Sequence, residues 1–382
     1  MQLSVIILNY NVKHFLEVCI KSVQKALTHI NGEIIVVDNA SHDGSKEMMQ
    51  HVFPEITYLY QDTNAGFPKG NNIGVAHAKG KFICILNPDT IVAEDTFEIL
   101  LSSYASLPNP GILGCRLIDG GGVFLPESKR GTPTPWVAFT KVVSLYKLFP
   151  KVNLFNKYYA QHLNELQEGS VDILVGAFMF LKRDLYVNVN GFDEGCFMYA
   201  DDIDLSYLSL KAGFTNYYVP QTSVIHFKGE STLKDGRYML RFKEAMQFFY
   251  KKHFKTSWWF NFMMDIGITL FAFKKSKETN KNKKLVEHYI LVSANPIIFN
   301  RVAQAVNKPI DWVSYLEDIE SIDQSGKNIE VLVDNETITY KDYIHYINQN
   351  KNSNKSFKIR ALNSEFFIGS DDKNDRGEIL CI

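Results

Sequence analysis

The chain is poor in cysteine, and the cysteines it has follow no pairing pattern. Cys19, Cys84, Cys115, Cys196 and Cys381 are scattered, without a CxxC spacing. That spread argues against a zinc site and against a disulfide framework, so reduced thiols in a cytosolic setting are expected. Net charge is equally sparse. With 41 basic and 42 acidic residues the formal charge is -1, which gives no global pull toward nucleic acid, and no nucleic-acid partner is expected. A signal peptide is not expected either. The apolar run Leu3–Leu8 is too short and lacks a basic start and a cleavage site.

What is present is the composition of a globular protein. The 382 residues are 46% hydrophobic and 22% charged, with aromatics at 13%. That length accommodates about two domains. In the first 120 residues, apolar runs alternate with stretches of helical spacing. Strands are expected at Leu3–Leu8, Glu33–Val37, Ile56–Tyr60 and Lys81–Leu86. Helices are expected at Phe15–Leu27, Ser45–Val52 and Asn71–Ala78. This alternation implies an α/β fold with a parallel sheet covered on both faces.

From about Pro126 to Gly169 the pattern loosens, as in an excursion over an acceptor site. It returns at Val171–Leu181, followed by a helix at Asp201–Ala212 and a strand at Asn216–Val219. A long amphipathic helix is expected at Gly236–Phe254. Trp258–Phe273 is the most apolar stretch of the chain, but it is shorter than the roughly 20 residues that span a bilayer. Lysines follow it closely at 274, 275, 277, 281, 283 and 284. Rings at the boundary and lysines on anionic headgroups suit an interfacial helix; a core helix followed by a polar linker is the plainer alternative. The expected division is therefore 1–255 for the main domain, 256–284 for a membrane-surface or linker segment, and 285–382 for a smaller α/β domain of unassigned role.

Four features in the first domain concentrate polar chemistry. Asp38 ends the second strand, where a carboxylate can accept from a ribose hydroxyl or a base N–H; a turn or helix cap is the plainer use. A loop rich in Gly and Asn, with Asn64, Gly66, Gly70 and Asn72, opens a helix whose N-terminus favours phosphate oxygens. Asn87-Pro88-Asp89 places a carboxylate just past an apolar strand, on the edge of the sheet where ligands bind. Asp201, Asp202 and Asp204 crowd three acids at a helix start, which a metal, a cationic ligand or the helix N-terminus makes tolerable. His226 follows a further apolar segment and, with Asp89, could complete a divalent metal site.

Together these segments resemble family 2 of the inverting, nucleotide-sugar-dependent glycosyltransferases. The matching stretches are Val5–Asn11, Val37–Ser45, Asn64–Phe67, Leu86–Asp89, Gly191–Glu194, the Asp201–Leu205 cluster and His226–Ser231. Asn-Pro-Asp in place of Asp-x-Asp is similar to the rhamnosyltransferase-like branch. The resemblance covers residues 1 to about 250. It implies a GT-A fold, a Rossmann-like and mostly parallel sheet flanked by helices, with the smaller C-terminal α/β domain beyond it.

The resemblance also implies roles. Tyr10 and Asp38 would hold the base and ribose, and Asn64, Gly66 and Asn72 would line the nucleotide loop. Asp89 would bind a divalent Mg or Mn ion on the diphosphate, with His226 as a further ligand, and Asp202 would be the catalytic base. The partners implied are a nucleotide-diphosphate sugar and a saccharide or lipid-linked acceptor, met at the cytoplasmic face of the cell membrane during cell-surface polysaccharide assembly. Three positions depart from the family pattern: Asp201 where Glu is usual, and Asn71 and Leu208 where Arg is frequent. A nucleotide-sugar-binding scaffold with a degenerate site is the competing reading. A nucleotidyltransferase is disfavoured, because residues 8–14 supply no Gly-rich, basic phosphate loop.

Overall fold

The computed structural model of the chain describes residues 1–134, 157–228, 236–254, 285–322, 326–351, 353–372 and 377–382, with isolated positions at 136, 137, 140, 152 and 375. The apolar stretch 258–273, the lysines at 274–284 and positions 229–231 of the last motif lie outside the described residues.

The first half begins as a parallel α/β unit. Strand β1 (Leu3–Asn9) leads through α1 (Lys13–Ala26) to β2 (Gly32–Asn39). From there the chain runs through α2 (Ser45–Val52), β3 (Thr57–Gln61) and α3 (Gly66–His77) to β4 (Phe82–Leu86). Every residue of β1 and β4 is buried. Strands covered on both faces read as unbroken apolar runs, which is why periodicity places them well. Beyond them come β5 (Thr90–Ile91), α4 (Thr96–Ser106), β6 (Pro110–Ile118), β7 (Lys129–Arg130), β8 (Gly169–Val171), β9 (Ile173–Leu174) and β10 (Phe178–Lys182). Helices α5 (Arg183–Asn188) and α6 (Asp201–Lys211), strand β11 (Thr215–His226) and helix α7 (Gly236–His253) complete this half.

Among the described residues the main sheet has the order β3-β2-β1-β4-β10-β6-β11-β5, with β8 on β11. Pairs β1–β2, β1–β4, β2–β3 and β6–β11 are parallel. Strand β10 inserts antiparallel between β4 and β6, and β5 and β8 run antiparallel to β11.

The expected regular stretch Val171–Leu181 is three short strands instead, because the chain turns at Val175-Gly176-Ala177 beside the acid cluster. Helix α3 begins at Gly66 rather than Asn71. Pro68 falls in its first turn, where the backbone N–H groups have no intrahelical partner to lose.

The C-terminal part has its own sheet, in the order β13-β12-β14-β15-β16-β17. Its elements are β12 (His288–Val292), α8 (Pro296–Ala305), β13 (Ile310–Val313), α9 (Ile319–Ile322), β14 (Ile329–Asp334), α10 (Tyr340–Gln349), β15 (Lys355–Arg360), β16 (Phe366–Gly369) and β17 (Glu378–Cys381). Strands β12 to β15 are parallel, and β16 and β17 return antiparallel.

The two sheets share a core. Phe15 and Val18 of α1, with Ile118, Ile225 and Phe227, pack with Tyr340, Tyr343, Ile347 and Ile368 in one buried cluster. Polar ties surround it. Glu94 accepts the backbone N–H groups of Tyr340 and Lys341 at 2.8 and 2.9 Å, a carboxylate at the positive end of α10. Arg116 donates to Asn348 at 2.8 Å, and Lys21 and Glu17 meet Ser364.

Candidate active site

The parallel strands β2, β1 and β4 end side by side, so Asp38, Asn9 and the Asn87-Pro88-Asp89 turn line one edge of the sheet. Asp38 is fully buried. Its Oδ2 accepts from the Asn9 amide at 2.7 Å and its Oδ1 from the Ser41 N–H at 2.7 Å. Each carboxylate oxygen keeps further lone-pair capacity. Tyr10, next along the chain, is 37% exposed and open to a stacking ligand.

The loop at 64–66 is tied to this edge. The Asn39 amide donates to Gly66 O at 3.1 Å, and Asn64 Oδ1 accepts the Gly66 N–H at 3.0 Å. Gly66 has φ +84°, and a Cβ there would meet the Phe197 ring at 2.9 Å, so a side chain is excluded on both counts. Asn72 is differently employed. Its amide donates to Phe192 O and Glu194, and its oxygen accepts from Tyr186 Oη at 2.6 Å and from the Phe192 N–H. In this structure it braces the Gly191–Glu194 turn against α3, with every polar atom engaged.

Asp89 and His226 meet, although one follows β4 and the other ends β11. His226 pairs with Thr90 across β5, and the Phe227 N–H donates to Asp89 O at 3.0 Å. His226 Nε2 lies 3.4 Å from Asp89 Oδ1 and 3.2 Å from the Asn87 amide nitrogen. Both side chains are buried. Beyond that mutual contact, Asp89 Oδ1 and His226 Nδ1 have no hydrogen-bond partner among the described residues. Burial alone would raise the Asp89 carboxyl; the His226 ring and Lys228 outweigh it and hold the group below its ordinary range. A hard oxygen and an imidazole nitrogen, buried and short of partners, form a donor set suited to a divalent cation. Among the described residues no cluster of three or more such side chains is placed to hold a metal. Asp89 and His226 therefore fit an ion that takes its remaining ligands from substrate phosphates and water, as Mg commonly does.

The three acids of α6 separate into three tasks. Asp204 is fully buried and faces α7, where it accepts from Lys252 Nζ at 2.9 Å and contacts His253 Nε2. Asp202 uses Oδ2 twice, for Arg130 Nη2 at 2.5 Å and for the Gly176 N–H at 3.1 Å. Asp201 is 6% exposed, and its Oδ1 has no partner among the described residues. Burial and the neighbouring Asp202 push its carboxyl up to about 7. The Gly176 turn links this cluster to the Asn87 turn, since the Asn87 N–H donates to Ala177 O at 3.0 Å. A Cβ on Gly176 would lie 3.3 Å from Asp202 Cβ and 3.5 Å from both Asp201 Oδ2 and the Phe67 ring. That glycine is thus flanked by the acid pair on one side and by Phe67 of α3 on the other.

Residues 4–188 match the family model of glycosyl transferase family 2. Rhamnosyltransferase WbbL of Escherichia coli (strain K12) is 30% identical over 220 residues, covering 54% of this chain and 78% of that protein. This chain belongs to glycosyl transferase family 2. It is also 25% identical over 237 residues to the N-acetylglucosaminyl-diphospho-decaprenol L-rhamnosyltransferase of Mycobacterium tuberculosis, covering 59% of this chain and 76% of the relative. Among solved structures, a mannosyltransferase from Pyrobaculum calidifontis in complex with GDP-Man and Mn2+ aligns with TM-score 0.47 and 17% identity, over 73% of this chain and 76% of that one.

Glycosyl transfer is the chain's chemistry, carried on the largely parallel α/β sheet of the first half. No described helix is long and apolar enough to cross a membrane. Arg130 and Gly176 were not legible as site residues in the sequence. Arg130 lies 72 positions from its acid partner, and Gly176 matters for the side chain it lacks.

Proposed function

We propose that this glycosyltransferase is an inverting enzyme that moves a sugar from a nucleoside-diphosphate donor to a saccharide or lipid-linked saccharide acceptor in cell-surface polysaccharide assembly. The names of the two rhamnosyltransferase relatives make L-rhamnose the sugar to test first. The observation that carries the reading is the shared sheet edge. Asp38 ends the strand beside β1, β4 runs into the Asp89–His226 pair, and the Asn87–Ala177 and Gly176–Asp202 hydrogen bonds lead from there to the acid pair, which supports reading them together.

In this reading Tyr10 and Asp38 bind the base and ribose, and the 64–66 loop follows the donor. Asn72 supports that loop through α3. Asp89 and His226 hold Mg or Mn, which would offset the charge growing on the diphosphate as it leaves. The acceptor oxygen forms a bond to the anomeric carbon while the bond to the diphosphate breaks. The electron pair departs with the nucleoside diphosphate, and one displacement inverts the configuration. A sugar hydroxyl is a poor nucleophile at neutral pH, so a carboxylate must take its proton as attack proceeds. Asp202 has that role, and its Oδ1 accepts none of the hydrogen bonds that Arg130 and Gly176 give to Oδ2. The enzyme works at the cytoplasmic membrane face, with 256–284 as the contact segment and 285–382 packed on the first sheet as its support.

The test is thermal stabilisation by UDP-, GDP- and dTDP-sugars with and without Mg or Mn, because a ligand that binds only the folded state raises its stability. One donor class should raise the melting temperature only when the cation is present. The Asp89→Ala variant should lose the cation dependence. Stabilisation that ignores the cation would remove the metal assignment. Binding without any release of nucleoside diphosphate would favour the scaffold reading.

A further inference from the structure

Lys129 and Arg130 form a two-residue strand that pairs antiparallel with Ile173 and Leu174, one turn of chain before Gly176. Neighbouring side chains on a strand point to opposite faces, and these two cations serve opposite sides. Lys129 is buried, and its ammonium donates to the carbonyl oxygens of Ala160 and Leu163 at 3.0 and 2.8 Å. Arg130 reaches the other way, to Asp202 at 2.5 Å and to Leu174 O at 3.3 Å. The strand end is fixed as well, since the Gly131 N–H donates to Lys157 O and Tyr158 O and the Thr132 N–H to Asp172.

We propose that Arg130 is a positioning residue for the transfer reaction: it fixes Asp202 through Oδ2, so that Oδ1 is left to receive the acceptor's proton, and Lys129 ties the 157–163 segment to the same strand. The inference rests on the glycosyl-transfer reading of the site. Two buried acids side by side cannot both carry charge cheaply without a counter-ion, and among the described residues the Arg130 guanidinium contacts Asp202 of this pair. The other charged groups nearby are committed elsewhere, Lys252 and His253 to Asp204 and Lys252 also to Asp193. Asp201 feels burial and Asp202 as upward influences and Arg130 as a downward one. Family Arg positions are filled by Asn71 of α3 and Leu208 of α6 in this chain, and the guanidinium beside Asp202 comes from strand β7 instead. The geometry also explains why Oδ2 receives both the Gly176 N–H and the guanidinium. Two donors on one oxygen hold the carboxylate plane while the second oxygen stays out of those bonds.

The experiment compares Arg130→Met and Arg130→Lys with the unaltered full chain. The probe is the member of a UDP-, GDP- and dTDP-sugar panel that is turned over with Mg or Mn, read as release of nucleoside diphosphate across pH. Arg130→Met should lower kcat by about a hundredfold, the lower end of what a positioned acid or base contributes. Its donor KM should hardly change, and the acid limb of its pH profile should move to higher pH because the pair has lost its cation. Arg130→Lys should recover part of kcat and return the limb toward its original position. Unchanged kcat and pH profile in both variants would overturn the inference. So would a loss in which donor affinity falls in step and the limb does not move, which is the signature of a merely structural role. If the unaltered chain turns over no donor, the functional reading itself fails and the inference falls with it.

Discussion

Three acids within one turn of α6 meet three different fates, and the difference is set by what faces each of them. Asp204 points at α7 and holds its last turn through Lys252 and His253. Replacing it with Ala should cost about 1.5–3 kcal/mol, the range for hydrogen bonds to a charged group, read as a lower denaturation midpoint at unchanged slope. Asp201 has the opposite energetic sign. Its carboxyl is raised to about 7 by burial and by Asp202, so the folded chain binds more protons than the unfolded one between the ordinary carboxylate range and pH 7. Stability contributed by this group is present at low pH and is lost as pH rises through the folded value. Asp201→Asn should therefore raise the melting temperature more at pH 8 than at pH 5. A larger gain at pH 5 would contradict the burial account.

At this scale the sequence was informative about residue types and silent about partners. Asp89 and His226 could be paired in advance because a carboxylate and an imidazole each followed an apolar run. Asn72 looked like a ligand residue because it sits in a Gly- and Asn-rich loop. Its work in the structure is to brace the 191–194 turn, a long-range contact that no local pattern encodes.

Elements with an unbroken apolar run or helical spacing of their apolar residues were the most legible. β1, β4 and α2 lie within a residue of where periodicity places them, since apolar runs and helical spacing are themselves the cause of those elements. The irregular parts were less so. The segment 171–181 bends at Gly176 to bring a backbone N–H to Asp202, and a turn made for a polar contact leaves no hydrophobic signature. β11 is also longer than the apolar run at 216–219 suggests. It carries on past irregular pairing to deliver His226 to the edge.

The bend at Gly176 supplies a test at this scale. An alanine there would place its methyl 3.3 Å from Asp202 Cβ, a tight contact that small shifts relieve, and would fill space between the acid pair and Phe67. Gly176→Ala should melt close to the unaltered chain and lose turnover. Full activity in a well-folded Gly176→Ala variant would show that no substrate group uses that space.

For the molecule as a whole, the second sheet domain is a structural partner of the first. Phe227 directly follows the candidate ligand His226, stacks edge-on against Phe15 with centroids 5.1 Å apart, and lies in the core shared with Tyr340 and Tyr343. The Asp89–His226 side of the site is thus backed by apolar packing that spans both sheets. Phe227→Ala should cost about 3–5 kcal/mol, as other large-to-small core changes do, and should weaken Mn-dependent donor binding with it. A chain ending at residue 254 would uncover Phe15, Val18, Ile118, Ile225 and Phe227 together, and should be recovered largely as aggregate. The sequence marked a second α/β domain at 285–382 but gave no sign of its docking, because α1 reads as an ordinary amphipathic helix whichever surface covers it.

The central claim is that Asp202 takes the acceptor's proton in a site where Asp89 and His226 serve the donor. Asp202→Asn keeps the shape of the side chain and removes its capacity as a base, so it separates the two halves of that claim directly. With the donor and cation that stabilise the unaltered chain, Asp202→Asn should bind the donor with nearly unchanged affinity and lose transfer by a factor of at least about 100. Near-normal turnover by Asp202→Asn would contradict the account.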